Sequence, residues 1–271
     1  MVARGRVRSA AAASETRLAS AVRAVSRVML ALPLVLAASH SQAQGRSAES
    51  ESPWAFTIEP YLWVSGVNGQ IGSESSPTPA GATFIDILQD FKGAFMGAAS
   101  ARYKRVGVVV DGNWVRVGDN VNLPQNGVGL TDVDVGADVA FGTAAAFVRF
   151  EPRDGLVVDP YVGSRWWYVD ASLDFNPGGP EVDDDTAWAD FVAGVMLEYR
   201  ITPGWFIEAA GDVGGGASDL TWQIYGGTGY NFRDWLGFSI GYRYIGVDYD
   251  RDGFLFDSTL DGMLVGFKIR L

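Results

Sequence analysis

The sequence predicts an all-β chain: a transmembrane, antiparallel, up-and-down β-barrel of about ten strands, with eight or twelve also compatible with the pattern. Three observations carry this. After residue 43 no apolar run is long enough for a membrane helix; the extended segments alternate bulky apolar residues with small or charged ones; and tight turns alternate with longer links. At 48% hydrophobic residues the chain is too apolar to be disordered.

Residues 1–27 carry six Arg and a single acid, Glu15. The apolar run 28–38 follows, and then the small-x-small pattern Ser41-Gln42-Ala43. A basic region, a short apolar core and small residues at the cut define a secretory signal peptide over 1–43. The alternative, a membrane anchor, needs about 20 apolar residues, and eleven are present. Residues 44–53 then form a short linker and 54–271 the barrel. The leader carries a net +5, so a chain of formal charge −11 becomes one of −16 after cleavage. An acidic chain argues against a nucleic-acid partner.

Turn signals divide the barrel region into segments at about 54–68, 92–104, 107–120, 131–150, 156–175, 187–201, 205–217, 219–232, 234–250 and 256–271. In the first, Trp54, Phe56, Ile58, Leu62 and Val64 oppose Thr57, Glu59, Tyr61 and Ser65. In 131–150, Val133, Val135, Val139, Phe141 and Phe147 oppose Asp132, Asp134 and Asp138. In 187–201, Phe191, Ala193, Val195, Leu197 and Tyr199 oppose Asp190, Gly194, Glu198 and Arg200. Near the end, Leu236, Phe238, Ile240, Tyr242 and Tyr244 oppose Gly237, Ser239, Gly241 and Arg243; Met263, Val265, Phe267, Ile269 and Leu271 oppose Gly262, Gly266, Lys268 and Arg270.

A soluble sandwich or lipocalin turns its apolar face inward and a membrane barrel turns it toward lipid. Here the other face consists of Gly, Ala, Ser and single charges of both signs, which fits a crowded lumen better than a solvated sheet. Aromatic residues gather near segment ends, among them Trp54, Trp205, Trp222, Tyr230 and Tyr249, as interfacial girdles require. The tight turns are 104–106, 151–155, 202–204 and 231–234. The longer or acidic links are 69–91, 121–130, 176–186 and 251–255, with one short Gly-rich link at 214–218. Short periplasmic turns, longer extracellular loops and both termini on the periplasmic side follow.

In the first long link Phe84, Ile87, Leu88 and Phe91 form a helical stripe. It reads either as a plug folded into the barrel mouth or as a helix on the outer rim, the rim being preferred.

Segments such as 60–63 (PYLW), 159–170 (DPYVGSRWWYVD) and 241–250 (GYRYIGVDYD), with the final strand FKIRL, resemble recurring strands of the small outer-membrane β-barrel proteins of Gram-negative bacteria. The resemblance covers about 54–271. It implies residence in the outer membrane among lipid and lipopolysaccharide, and insertion by the barrel-assembly machinery, which reads an aromatic C-terminal residue. This chain departs by ending in Leu271.

The sequence has no Cys, and its one His, His40, lies in the leader. Ser-His-Asp triads, Cys nucleophiles and ordinary zinc sites are thereby excluded from 44–271. The enzymatic barrel families that the resemblance brings in rely on a His. Carboxylate pairs, Asp134 with Asp138 or Glu208 with Asp212, are the remaining acid–base candidates. The favoured reading is a salt-bridged lumen network of Glu59, Arg102, Asp134, Asp138, Asp159, Arg165, Asp190, Glu198, Arg200, Glu208, Asp212, Arg243, Lys268 and Arg270, because unpaired charge in a narrow lumen is costly. Asp248, Asp250, Asp252 and Gly253 match the first half of a calcium loop, but position twelve is Thr259 and an Asp-Gly hairpin explains the same residues. The acids Glu181, Asp183, Asp184 and Asp185 read as a solvated loop. No metal and no cofactor are expected.

The functional expectation is a non-enzymatic barrel, structural or a narrow passive pore preferring cations. The alternative is a surface receptor or adhesin that binds ions or partners through acidic loops. A soluble periplasmic carrier is a third.

Overall fold

The computed structural model describes residues 52–73, 76–82, 91–122, 132–176, 181–251 and 253–271. The leader, the linker up to Glu51 and the stripe residues Phe84, Ile87 and Leu88 lie outside them. Phe91, the stripe's last member, is the first residue of a strand.

The strands are β1 (Trp54–Ser73), β2 (Ser76–Ala82), β3 (Phe91–Tyr103), β4 (Val106–Asn122), β5 (Asp132–Val148), β6 (Phe150–Arg153), β7 (Leu156–Asn176), β8 (Glu181–Arg200), β9 (Trp205–Gly216), β10 (Leu220–Arg233), β11 (Leu236–Arg251) and β12 (Phe254–Arg270). Each barrel strand pairs antiparallel with its neighbour, and β12 pairs with β1. β2 folds back on the far end of β1, and β6 pairs with the start of β7 just beyond Arg149. The result is a closed barrel of ten strands. The tight turn before β7 uses Gly155 at φ +79°, a left-handed conformation that glycine adopts without strain.

The exterior is apolar. On β4, Val106, Val108 and Val110 are exposed, followed by Trp114 and then Arg116. Those eight steps span roughly 26 Å of strand at ~3.3 Å each. With the strand tilt of a membrane barrel this gives a band about 20 Å high, near the ~25 Å of membrane barrels. Leu62, Phe95, Phe191, Ile224, Met263 and Phe267 continue the band, each about half exposed. Trp54, Tyr103, Trp205, Phe232 and Trp235 rim the short-turn end, and Trp114, Trp166, Tyr242 and Tyr244 the other. Pairing of β12 with β1 closes the sheet on itself and removes its edge strands.

One ladder is incomplete. β1 pairs β3 only from Trp54↔Tyr103 to Pro60↔Gly97. Beyond it the backbone N–H of Trp63 donates to the Met96 sulfur at 3.2 Å, so a side chain fills the place of a strand carbonyl.

Three sequence expectations need correction. First, on β5 the faces are reversed. Phe141, Thr143, Ala145 and Phe147 point inward and are buried, while Asp134 and Asp138 share the outward register with Ala146 and Val148. Bulky residues alternate there because the lumen itself is aromatic at this level, so size does not mark the lipid side. Second, the acidic link before residue 187 is mostly strand, β8 beginning at Glu181; acids are poor strand formers and disguised it. Third, Asp248 and Asp250 lie on β11, paired with β12, and Asp252 lies outside the described residues. Among those residues no group of three or more His, Cys, Asp or Glu could hold a metal ion.

Candidate functional site: a half-filled lumen

The inward residues divide the lumen into three layers. Nearest the short turns is a cavity of about 680 Å³. β12 places Lys268 in it: the ammonium donates to Glu208 at 2.8 Å and Glu198 at 3.3 Å, and lies 3.8 Å from Glu59. Those carboxylates come from β9, β8 and β1, so one cation ties together strands distributed around the wall. Glu208 also accepts from the Tyr225 hydroxyl at 2.7 Å. The ammonium sits 5.0 Å from the centre of the Phe206 ring, an orientation that favours the cation over the π-face. Phe206 reaches that position because Gly229 has no side chain: a Cβ there would lie 2.2 Å from the ring.

Across the cavity Arg149 donates to Asp159 through two bonds, at 3.0 and 2.6 Å, the strong fork geometry. Nearer the mouth Arg270 donates to the Asn231 amide oxygen at 2.8 Å and Arg102 to the Lys104 carbonyl, while Arg200 is exposed on the rim.

The middle layer is polar and forms the inner wall of the cavity. Arg243 donates to Asp111 at 3.1 Å, to Gln223 at 2.8 Å and to the Tyr61 hydroxyl, which itself donates to Asp111 at 2.6 Å. Beside it Arg165, fully buried, donates to Asp212 at 2.8 Å, to Thr143 and to Thr221; Tyr161 donates to the same Asp212 oxygen at 2.6 Å. Buried charges persist only when paired and hydrogen-bonded, and each arginine here has a carboxylate and further partners.

Above this the lumen is filled with rings. Trp63 lies 5.9 Å from Phe141, Phe141 4.6 Å from Trp167, Trp167 5.9 Å from Trp188, and Trp188 4.1 Å from Tyr249; Phe256 touches both Trp167 and Trp188 at 5.9 Å. The six rings come from β1, β5, β7, β8, β11 and β12 and are at most 7% exposed. Ile245, Val247 and Leu260 complete the cluster. The Arg243 guanidinium lies 5.2 Å under the Trp63 ring and joins the two layers.

Of the fourteen charges assigned to the lumen from sequence, Asp134 and Asp138 are outside. Asp138 accepts two bonds from Arg116, at 2.7 and 2.8 Å, on the exterior. Asp190 is inside but apart from the other charges: it accepts from the backbone N–H and the hydroxyl of Ser218. Arg102, Arg200 and Arg270 lie near the mouth outside these ion pairs, and the others form separate clusters around Lys268, Asp159, Arg165 and Arg243. Asp111, Arg149, Tyr61, Tyr161 and Tyr225 were missed. Register alone locates Asp111, which stands two residues from inward Val109 and Asn113. Glu208 is held by Lys268 and Asp212 by Arg165, so neither stands as a free acid–base partner.

Fold, exterior and lumen together define the class: a membrane-spanning β-barrel whose lumen holds a polar chamber, paired arginines and a cluster of buried rings. Solved barrels of similar architecture include the outer-membrane protease OmpT of Escherichia coli (8% identity, 82% of this chain, 98% of that chain, TM-score 0.45). The attachment invasion locus protein Ail of Yersinia pestis (12%, 80%, 98%, 0.33) and the Pseudomonas putida toluene transporter TodX (10%, 80%, 89%, 0.30) are others. The likeness is one of architecture and goes no further. No protein-family model and no curated protein sequence matches the chain.

Proposed function

We propose that the protein is a non-enzymatic barrel of the Gram-negative outer membrane, sealed against through-flow, with its polar chamber open to the periplasm. The aromatic layer supports this reading: six rings from six strands, each at most 7% exposed, pack in a chain of contacts above the Arg243 and Arg165 clusters. Export by a cleaved leader, contact with lipopolysaccharide and insertion by the barrel-assembly machinery belong to the same reading. The short turns then face the periplasm, as in bacterial barrels generally. The absence of His and Cys after residue 43 supports a non-catalytic role.

Purified protein in planar bilayers tests this. The expected result is no stepwise conductance from the wild type, and steps only from a variant that opens both the ring layer and the ion-paired layer beneath it, Trp167→Ala/Trp188→Ala with Arg165→Ala/Asp212→Ala. Steady wild-type steps would overturn the sealed barrel in favour of the narrow cation pore.

A further inference from the structure

The barrel wall is uneven at its long-hairpin end. β9 stops at Gly216 and β10 starts at Leu220, so their hairpin is low. On one side β8 runs on from Asp190 back to Glu181, nine residues past its last pair with β9 (Asp190↔Gly216). On the other, β11 runs on to Arg251 past its last pair with β10 (Leu220↔Asp248). A notch two strands wide lies between them, and among the described residues β8 has no neighbour along it.

The hydrogen-bonding direction of this edge is fixed. The N–H of Ala217 donates to the Ala189 carbonyl, so Ala189 faces the notch. In an antiparallel ladder every second residue faces the same side, which puts the backbone N–H and C=O of Ala187, Asp185 and Asp183 on the open edge. Asp185 and Ala187, like Ala189, are exposed in the outward register. The notch is acidic on three sides: exposed Asp185 on β8, exposed Asp219 on its floor, and Asp248 and Asp250 outward on β11, with Arg251 bound to Asp219 at 3.0 Å.

We propose that this edge of β8 is a strand-addition site for a basic, extended peptide segment of a partner protein. Backbone groups that pair with no strand among the described residues supply the pairing and the carboxylates supply selection by charge, the two parts of recognition by β-augmentation. The register makes the requirement specific. A partner residue directly opposite Asp185 turns both its backbone groups toward β8 and its side chain to the same outward face, so a cation belongs there, with small apolar residues on either side of it over Trp188. The barrel needs no conductance for this, and the site stands whether or not the lumen opens.

The test uses the full chain folded in detergent micelles and a fluorescent eight-residue peptide alternating Lys and Val, read by anisotropy at low and moderate salt. The expected result is saturable binding that is lost in a Glu–Val peptide. N-methylation of the Lys residues weakens it at least tenfold and N-methylation of the Val residues does not. Ala187→Pro, which removes an edge N–H at a position where Pro is tolerated, also weakens it at least tenfold while heat-modifiable mobility stays unchanged. Equal binding of both N-methylated peptides would mean diffuse attraction between charges and would overturn the proposal. So would absence of binding to the unmodified peptide, in which case the acids serve only to keep a bare edge from pairing.

Discussion

Asp190 accepts two 2.7 Å hydrogen bonds from Ser218, one from its amide and one from its hydroxyl. The Ser218 hydroxyl in turn accepts from the Trp188 indole at 2.8 Å. This fixes the β9–β10 hairpin at the height that opens the notch. All three residues are buried, so Asp190→Ala strands two donors at once. The expected loss is about 3 kcal/mol, from roughly 1–3 kcal/mol per unsatisfied buried group, read as a lower urea midpoint in detergent. Asp190→Asn, which keeps one acceptor, loses less.

Lys268 is shared by three carboxylates, with its side chain only 10% exposed. Lys268→Met leaves Glu59, Glu198 and Glu208 facing one another, and stability falls by about 3 kcal/mol, the scale for breaking a buried pair from one side. Adding Glu198→Gln and Glu59→Gln to that variant recovers part of the loss in the same unfolding assay. Equal midpoints for the single and triple variants would count against the cluster.

Gly229 exists for Phe206. Gly229→Ala pushes a methyl into a ring that is fully buried and carries the Lys268 ammonium on its face. Overpacking of this kind costs about 1–3 kcal/mol. Phe206→Leu combined with Gly229→Ala then unfolds at a higher urea concentration than Gly229→Ala alone.

Two arginine–aspartate pairs at nearly the same distance separate inside from outside. Arg165–Asp212 is 2.8 Å and fully buried; Arg116–Asp138 is 2.7 Å, with the arginine side chain 54% exposed. Arg165→Ala is expected to cost about 3–5 kcal/mol. Arg116→Ala costs less than about 1 kcal/mol. A large effect at Arg116 would contradict the outward placement of Asp138.

Much of the fold was legible because lipid and lumen impose opposite demands on alternate residues. β1, β8, β11 and β12 obey them toward the short-turn end, where Glu59, Glu198, Arg243 and Lys268 alternate with lipid-facing residues, and the turn residues separate all ten barrel strands. β5 was misread because Val139, Phe141 and Phe147 resemble a lipid face. Nothing within one strand tells that Trp63, Trp167, Trp188, Tyr249 and Phe256, from five other strands, converge on Phe141. The ion pairs have the same character: Lys268 was visible as an inward cation, but its three acids lie on β1, β8 and β9, and their convergence depends on barrel stagger. Asp190 looked like one more lumen charge because its partner, Ser218, sits in the hairpin that was hardest to place.

The first strand shares fifteen paired positions with the last strand, β12, seven with β3 and seven with β2. Between Tyr61 and Gly66 its only strand partner is therefore a segment synthesised about 200 residues later. Contacts so distant along the chain form late and slowly. A polypeptide truncated before Phe254 would retain nine consecutive barrel strands and still leave the middle of its first one without a strand partner. Closing the ring through β12 is thus also what secures the middle of the strand that begins it.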